Sequence, residues 1–150
     1  MRRAISLAQQ GIDAGAGGPF GAVVVLDGVI VGEGFNQVTS TNDPTAHAEV
    51  TAIRNACEKI GSFQLTDCAI YTSCEPCPMC LGAIYWSRPL RVFYAATRDD
   101  AANIGFDDQF IYEEIEKTFE HRQMKLVNLM RGEGLTVFEN WTNKSNKTKY

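Results

Sequence analysis

Cys68-Ala69-Ile70-Tyr71-Thr72-Ser73-Cys74-Glu75-Pro76-Cys77-Pro78-Met79-Cys80-Leu81-Gly82-Ala83-Ile84-Tyr85-Trp86-Ser87 runs a strand directly into a helix, and that order decides the fold. Residues 68–72 form a short apolar run that reads as a strand. The residues after Cys77 read as helical. Prolines at 76 and 78 bracket Cys77, and proline is well tolerated in the first turn of a helix, where its missing N–H is not needed. Cys77 and Cys80 therefore fall one turn apart on one face of a helix start. Backbone N–H groups and the positive end of the helix dipole there favour thiolate over thiol. Arg91-Val92-Phe93-Tyr94-Ala95-Ala96 supplies the next strand.

Outward from this stretch the same alternation continues. Residues 1–13 read as an amphipathic helix with Ile5, Leu7, Ala8 and Ile12 on its apolar side, stopped by the glycines between 15 and 18. Gly21-Ala22-Val23-Val24-Val25-Leu26 and Val29-Ile30-Val31-Gly32 flank Asp27-Gly28, a strong hairpin signal, so the first two strands are expected as antiparallel neighbours. Residues 35–44 are polar and read as a loop. A helix over 45–60 follows, closed by Gly61, with His47, Val50, Ile53, Cys57 and Ile60 along its apolar stripe. Downstream, 110–120 reads as a helix with Glu113, Glu114, Glu116 and Lys117 at solvated positions. Met124-Lys125-Leu126-Val127-Asn128-Leu129 suits a strand or part of a helix, and Leu135, Val137, Phe138 and Trp141 suggest a last helix before a polar tail. Alternating strands and helices argue for an α/β sandwich in which helices cover a central sheet.

The chain has 150 residues, enough for one domain that buries about two thirds of its unfolded surface. Its net charge of −4 and its lack of a lysine or arginine run give no reason to expect a nucleic-acid partner. No apolar stretch reaches the roughly 20 residues that span a bilayer, and no signal peptide precedes the first helix, so no membrane partner and a cytoplasmic location are expected. The five cysteines then read as reduced thiols or metal ligands and not as a disulfide framework.

Two half-motifs concentrate the chemistry. Thr45-Ala46-His47-Ala48-Glu49 contains H-x-E, and Pro76-Cys77-Pro78-Met79-Cys80 contains P-C-x-x-C. His47, Cys77 and Cys80 make three zinc ligands and leave the fourth tetrahedral position to water, the mark of a catalytic site. The metal lowers the pKa of that water toward about 7. Residues i and i+2 of a helix diverge, so Glu49 is expected to reach the water from the flank of the first turn, take its proton and deliver it to the leaving group. Each residue alone has a plainer reading: a core histidine, a solvated glutamate, two packed cysteines. Together the half-motifs form the signature of the zinc-dependent deaminases. Cys74-x-x-Cys77-x-x-Cys80 also resembles an iron–sulfur run, but the further cysteine that pattern requires is replaced by Ile84. Cys74 is expected to pack at the end of its strand.

The chain resembles the bacterial guanine deaminases of the cytidine deaminase-like zinc hydrolase superfamily. The likeness runs through Gly17-Gly18-Pro19-Phe20-Gly21-Ala22, through 42–54 and 71–86 around the two half-motifs, and through Ala101-Ala102-Asn103-Ile104-Gly105-Phe106-Asp107-Asp108 to the terminal Tyr150. It implies a three-layer α/β/α sandwich with a central mixed five-stranded sheet, and one zinc ion per subunit held by His47, Cys77 and Cys80, with Glu49 as proton carrier. It further implies that Asn36 and Asp108 hydrogen-bond the purine, that Phe20 and Trp86 wall it, and that Tyr150 closes over it. Asp107 could serve in place of Asp108. The activity implied is hydrolysis of guanine to xanthine and ammonia in purine catabolism. Guanosine, tRNA adenosine or cytosine deamination stand as alternatives, with a zinc-stabilised interaction module as the reading from outside enzymology. A homodimer that exchanges the segment from about 121 to 150 of a single domain is also implied.

Overall fold

Asp27 and Gly28 both take left-handed backbone conformations, with φ of 49° and 79°. This tight turn joins β1 (Gly21–Leu26) to β2 (Val29–Phe35) in an antiparallel pair, as the Asp-Gly dipeptide predicts. The computed structural model describes residues 1–149. The chain divides into two units, Met1–Ile111 and Tyr112–Tyr150.

In the first unit, β3 (Cys68–Cys74) lies antiparallel to β1, and β4 (Arg91–Ala96) lies parallel to β3, giving a mixed sheet in the order β2-β1-β3-β4. The described residues therefore hold four strands, which corrects the expected five. After β4 the chain turns straight into a helix: Thr97 caps it, accepting from the Asp100 N–H while the Asp100 carboxylate accepts from Thr97 N–H. The segment 124–129, strand-like in composition, has no regular structure. Its own unit contains no strand to pair with among the described residues, and an unpaired strand leaves its backbone groups unsatisfied.

Helix α1 (Arg2–Asp13) covers one face of the sheet, where Gly21 approaches the backbone of Ala4 and Ala8. It buries Ala4, Leu7, Ala8 and Gly11, one stripe at steps of three and four. Ile5 and Ile12, expected on that side, stand one position out of the stripe and are exposed. The polar segment after β2, expected as a loop, includes one short turn of helix, α2 (Val38–Thr41).

The opposite face carries α3 (Ala48–Ile60) and α4 (Pro78–Ser87). The core lies between them and the sheet, built from Ala22, Val24, Ile70, Leu65, Ile84 and the alanines of α3. That helix buries Ala48, Ala52 and Ala56. The expected stripe of Val50, Ile53, Cys57 and Ile60 lies alongside, with Ile53, Cys57 and Ile60 packed against the core from its margin. The reason is the closeness of β2. A Cβ on Gly32 would stand 2.3 Å from the Ala52 carbonyl, and one on Gly34 would stand 2.4 Å from that of Ala48. Backbone meets backbone there, so only small residues fit. The start of α3 is thus set against the sheet by main-chain contact.

Helix α5 (Arg98–Asn103) follows β4, and α6 (Gln109–Glu116) spans the junction of the units. In the second unit a short 3-10 turn, Phe119–His121, precedes α7 (Arg131–Asn143), which contains the expected apolar positions. Among the described residues no helix is long and apolar enough to cross a membrane.

Candidate active site

Two helix starts face each other at the head of the sheet. His47 is not within α3, as the sequence suggested, but is its N-cap, with extended backbone at φ −71° and ψ 158°. Cys77 is the N-cap of α4 in nearly the same conformation, with Pro78 at the first helical position. Because His47 precedes the helix, the divergence of i and i+2 does not separate it from Glu49.

His47 Nδ1 lies 3.5 Å from Cys77 Sγ and 3.4 Å from Cys80 Sγ. The three ligand atoms all fall within 4.8 Å of one another. A tetrahedral zinc with Zn–N of about 2.0 Å and Zn–S of about 2.3 Å has N···S edges of roughly 3.6 Å. The observed separations match those edges, so the three residues fit one zinc ion. Cys80 is fully buried, which favours a metal-held thiolate over a solvated one. Without an ion, the hydrogen bond from Cys80 holds the Cys77 thiol well below its ordinary pKa, and the His47 contact adds to this. The contact with Cys77 raises the pKa of His47 in turn. Cys80 is pushed the other way, by its hydrogen bond to Cys77 and by burial, and so keeps its proton until a dication displaces it.

Glu49 is 6% exposed. Its Oε2 accepts from Cys80 Sγ at 3.3 Å, and its Oε1 from the Thr72 hydroxyl at 3.4 Å. Burial pushes its pKa up. Thr72 is a partner that sequence reasoning missed. Its signal is present: β3 buries alternate residues, and Thr72 is the polar one between Ile70 and Cys74.

A cavity of about 630 Å³ opens beside these groups, lined by His47, Glu49 and Cys77 together with Phe20, Asn36 and Asp108. Asn36 is buried, and its Oδ1 accepts from the N–H groups of Gly18 and Val38, each at 3.2 Å. With the oxygen so engaged, the amide NH2 is the donor left for a guest. The two aspartates also separate. Asp107 Oδ1 accepts from Gln109 N–H at 2.9 Å, whereas Asp108 is half-buried, and burial, with the Cys77 charge, raises its pKa.

Phe106, which sequence reasoning left without a role, meets Phe20 edge-on with ring centroids 5.0 Å apart, and both rings line the cavity. Trp86 is not among the lining residues and is 66% exposed. It stands six residues beyond Cys80 on α4, about 240° around the helix from the buried thiol. Tyr150 lies outside the described residues. Cys74, as expected, packs at the end of β3. Its thiol donates to the Thr97 carbonyl at 3.4 Å, and its pKa is pushed up to about 11, chiefly by burial. It takes no part in the ligand cluster.

The sequence matches the family model of the cytidine and deoxycytidylate deaminase zinc-binding region over residues 1–96. The chain is 59% identical to the guanine deaminase of Bacillus subtilis (strain 168) over its full length and 96% of that protein's. It is 40% identical to a tRNA-specific adenosine deaminase of Haemophilus influenzae, covering 79% of this chain and 71% of the other. Among solved structures, a guanine deaminase from Bacillus subtilis superposes with a TM-score of 0.96 at 60% identity, over 99% of this chain and 95% of that one. A guanine deaminase from Nitrosomonas europaea gives 0.67 at 30% identity, over 89% and 69%. A family match that takes in His47, Glu49, Cys77 and Cys80, on a fold that brings the four together, establishes that this chain belongs to the cytidine and deoxycytidylate deaminase zinc-binding family.

Proposed function

We propose that this protein hydrolyses guanine to xanthine and ammonia. One observation carries the reading: the His47–Cys77–Cys80 cluster and Glu49 share a cavity with a carboxylate, Asp108, and a free amide donor on Asn36. Guanine offers N–H and amino donors beside a carbonyl acceptor, so a carboxylate and an amide NH2 meet both needs. A site built on such hydrogen bonds rejects analogues that lack them. Phe20 supplies an aromatic surface for the planar ring. Likeness over the whole chain to guanine deaminases supports this choice over the tRNA and cytosine readings.

Placement supports the following roles. A zinc ion held by His47, Cys77 and Cys80 would supply the Lewis acid that makes water nucleophilic near neutral pH. Water adds at C2 and the 2-amino group leaves as ammonia. Glu49, anchored at Oε1 by Thr72, carries one proton of that water to the ring nitrogen and then the remaining proton of the added hydroxyl to the amine, so that the C2–N bond breaks as the C2 carbonyl forms. Asn36 and Asp108 orient the base. None of the five cysteines is paired in a disulfide, in keeping with a reducing, cytoplasmic setting.

An ammonia-release assay over guanine, guanosine, adenine, cytosine and a tRNA anticodon stem-loop tests the assignment. Guanine is expected to be turned over far faster than the rest. Preference for any other substrate overturns the reading, and no ammonia from any of them favours a zinc-stabilised module.

The chain forms one functional domain as a homodimer in which the segment from about residue 121 is exchanged. Two features support this. Strand β4 is an edge strand with Phe93 and Tyr94 exposed, and the strand-like segment after residue 123 leaves Val127 and Leu129 at least 80% exposed. Each offers what the other lacks. By the likeness to guanine deaminases, Tyr150 would close over the purine in that assembly. Removing residues 145–150 is expected to lower turnover at least tenfold while zinc content and dimer mass in sedimentation stay unchanged. Full retained turnover would reduce the tail to a solvated end.

A further inference from the structure

Three hydrogen bonds tie the end of β3 to the corner that follows β4. Glu75 N–H donates to the Ala96 carbonyl at 2.8 Å, and the Glu75 Oε2 accepts from Arg98 N–H at 3.1 Å. Cys74 Sγ donates to the Thr97 carbonyl at 3.4 Å. From that corner a continuous run of backbone bonds leads to the far wall of the cavity. Thr97 and Asp100 cap α5 reciprocally. Gly105 N–H then donates to the Ala102 carbonyl, and Phe106 N–H to that of Ala101. Asp108 stands two residues on. On its other side Glu75 is two residues from Cys77. Of the three contacts, only the one to the Glu75 carboxylate depends on a charged side chain, and a hydrogen bond to a charged group is stronger than a neutral one.

We infer that Glu75 is a positioning residue for substrate recognition: its carboxylate holds the start of α5, and through α5 it sets Asp108 against the reacting centre. The inference rests on the functional reading above, because it takes Asp108 as the group that binds the base. Glu75 then affects binding of the purine and leaves the proton transfers to Glu49. The Glu75→Gln change keeps a side-chain oxygen that accepts from Arg98 N–H, whereas Glu75→Ala leaves that N–H to water.

The test is a steady-state comparison of Glu75→Ala, Glu75→Gln, Asp108→Asn and the double variant E75A/D108N on guanine, with zinc content and xanthine binding by calorimetry. Glu75→Ala is expected to raise KM for guanine and the Kd for xanthine by about tenfold, which corresponds to ~1.4 kcal/mol. Its kcat is expected within about twofold of the parent, with one zinc retained. Glu75→Gln restores most of the loss. In the D108N background the Glu75→Ala change adds little, because the two residues act through one contact. Unchanged KM in Glu75→Ala, a loss confined to kcat, no rescue by glutamine, or additive effects with D108N would each overturn the inference. Failure of the functional reading is seen separately, as a parent protein that releases no ammonia from guanine.

Discussion

Glu49→Gln is expected to fold, to bind one zinc ion and to turn over guanine about 10⁴-fold more slowly than the parent, and Glu49→Ala to be as inactive. A positioned acid–base group contributes about 10² to 10⁴ in rate. The upper end is expected because, in the proposed mechanism, one carboxylate serves both proton transfers that release ammonia. The size of the effect also follows from isolation. Glu49 is buried, and its two oxygens accept from Thr72 and Cys80. Stability should move the other way. In the metal-free protein, burial of the carboxylate raises its pKa, so its ionised form is a cost to the folded state at neutral pH, and that cost vanishes in the neutral amide. The measurements are kcat, zinc by atomic absorption and a thermal melt. Near-parental kcat would refute the proton-carrier role, and loss of zinc would make Glu49 a structural support of the metal.

Cys80→Ala is expected to abolish both zinc binding and turnover, while Cys74→Ala keeps one zinc per chain. Cys80 Sγ lies 3.4 Å from His47 Nδ1 at a fully buried position, and two ligands cannot close a site built for three. Cys74 sits on the same short run, yet its thiol is spent on the Thr97 carbonyl. Elemental analysis separates the two variants directly: equal zinc in both would refute the assignment. Acid-labile sulfide in the parent protein would instead establish an iron–sulfur site. Because an ion that binds only the folded state stabilises it, a chelator should lower the melting temperature of the parent and leave that of Cys80→Ala unchanged.

Much of this site is legible in the sequence. A proline next to Cys77 and a three-residue step to Cys80 are local facts, and local geometry alone puts both thiols at a helix start. Asp27-Gly28 gives the hairpin for the same reason. What was not readable depends on distance along the chain. The burial of Ala48, Ala52 and Ala56, and not of the larger residues beside them, follows from glycines on β2, which no helical periodicity contains. His47 reads as a helical residue because its spacing fits the stripe, yet the helix begins one residue later. Helix α5 was missed although Thr97 and Asp100 spell a capping box, because aspartate stands where glutamate is usual. The segment 124–129 shows the opposite limit. Its composition suits a strand, but a strand is a relation between two segments and no composition contains the partner.

The seam of Gly32 and Gly34 against Ala48 and Ala52 divides the labour of the cavity. On that side, main chain rests on main chain, so the start of α3, which carries His47 and Glu49, is seated by backbone contact. On the other side, Phe106 and Asp108 follow a short helix and a turn held by a few hydrogen bonds. Variation therefore has somewhere to go. A protein built this way can be steered toward a different ring by altering its recognition wall while the chemical step is carried along unaltered, and a library aimed at new substrates belongs at residues 97–108 and not along α3.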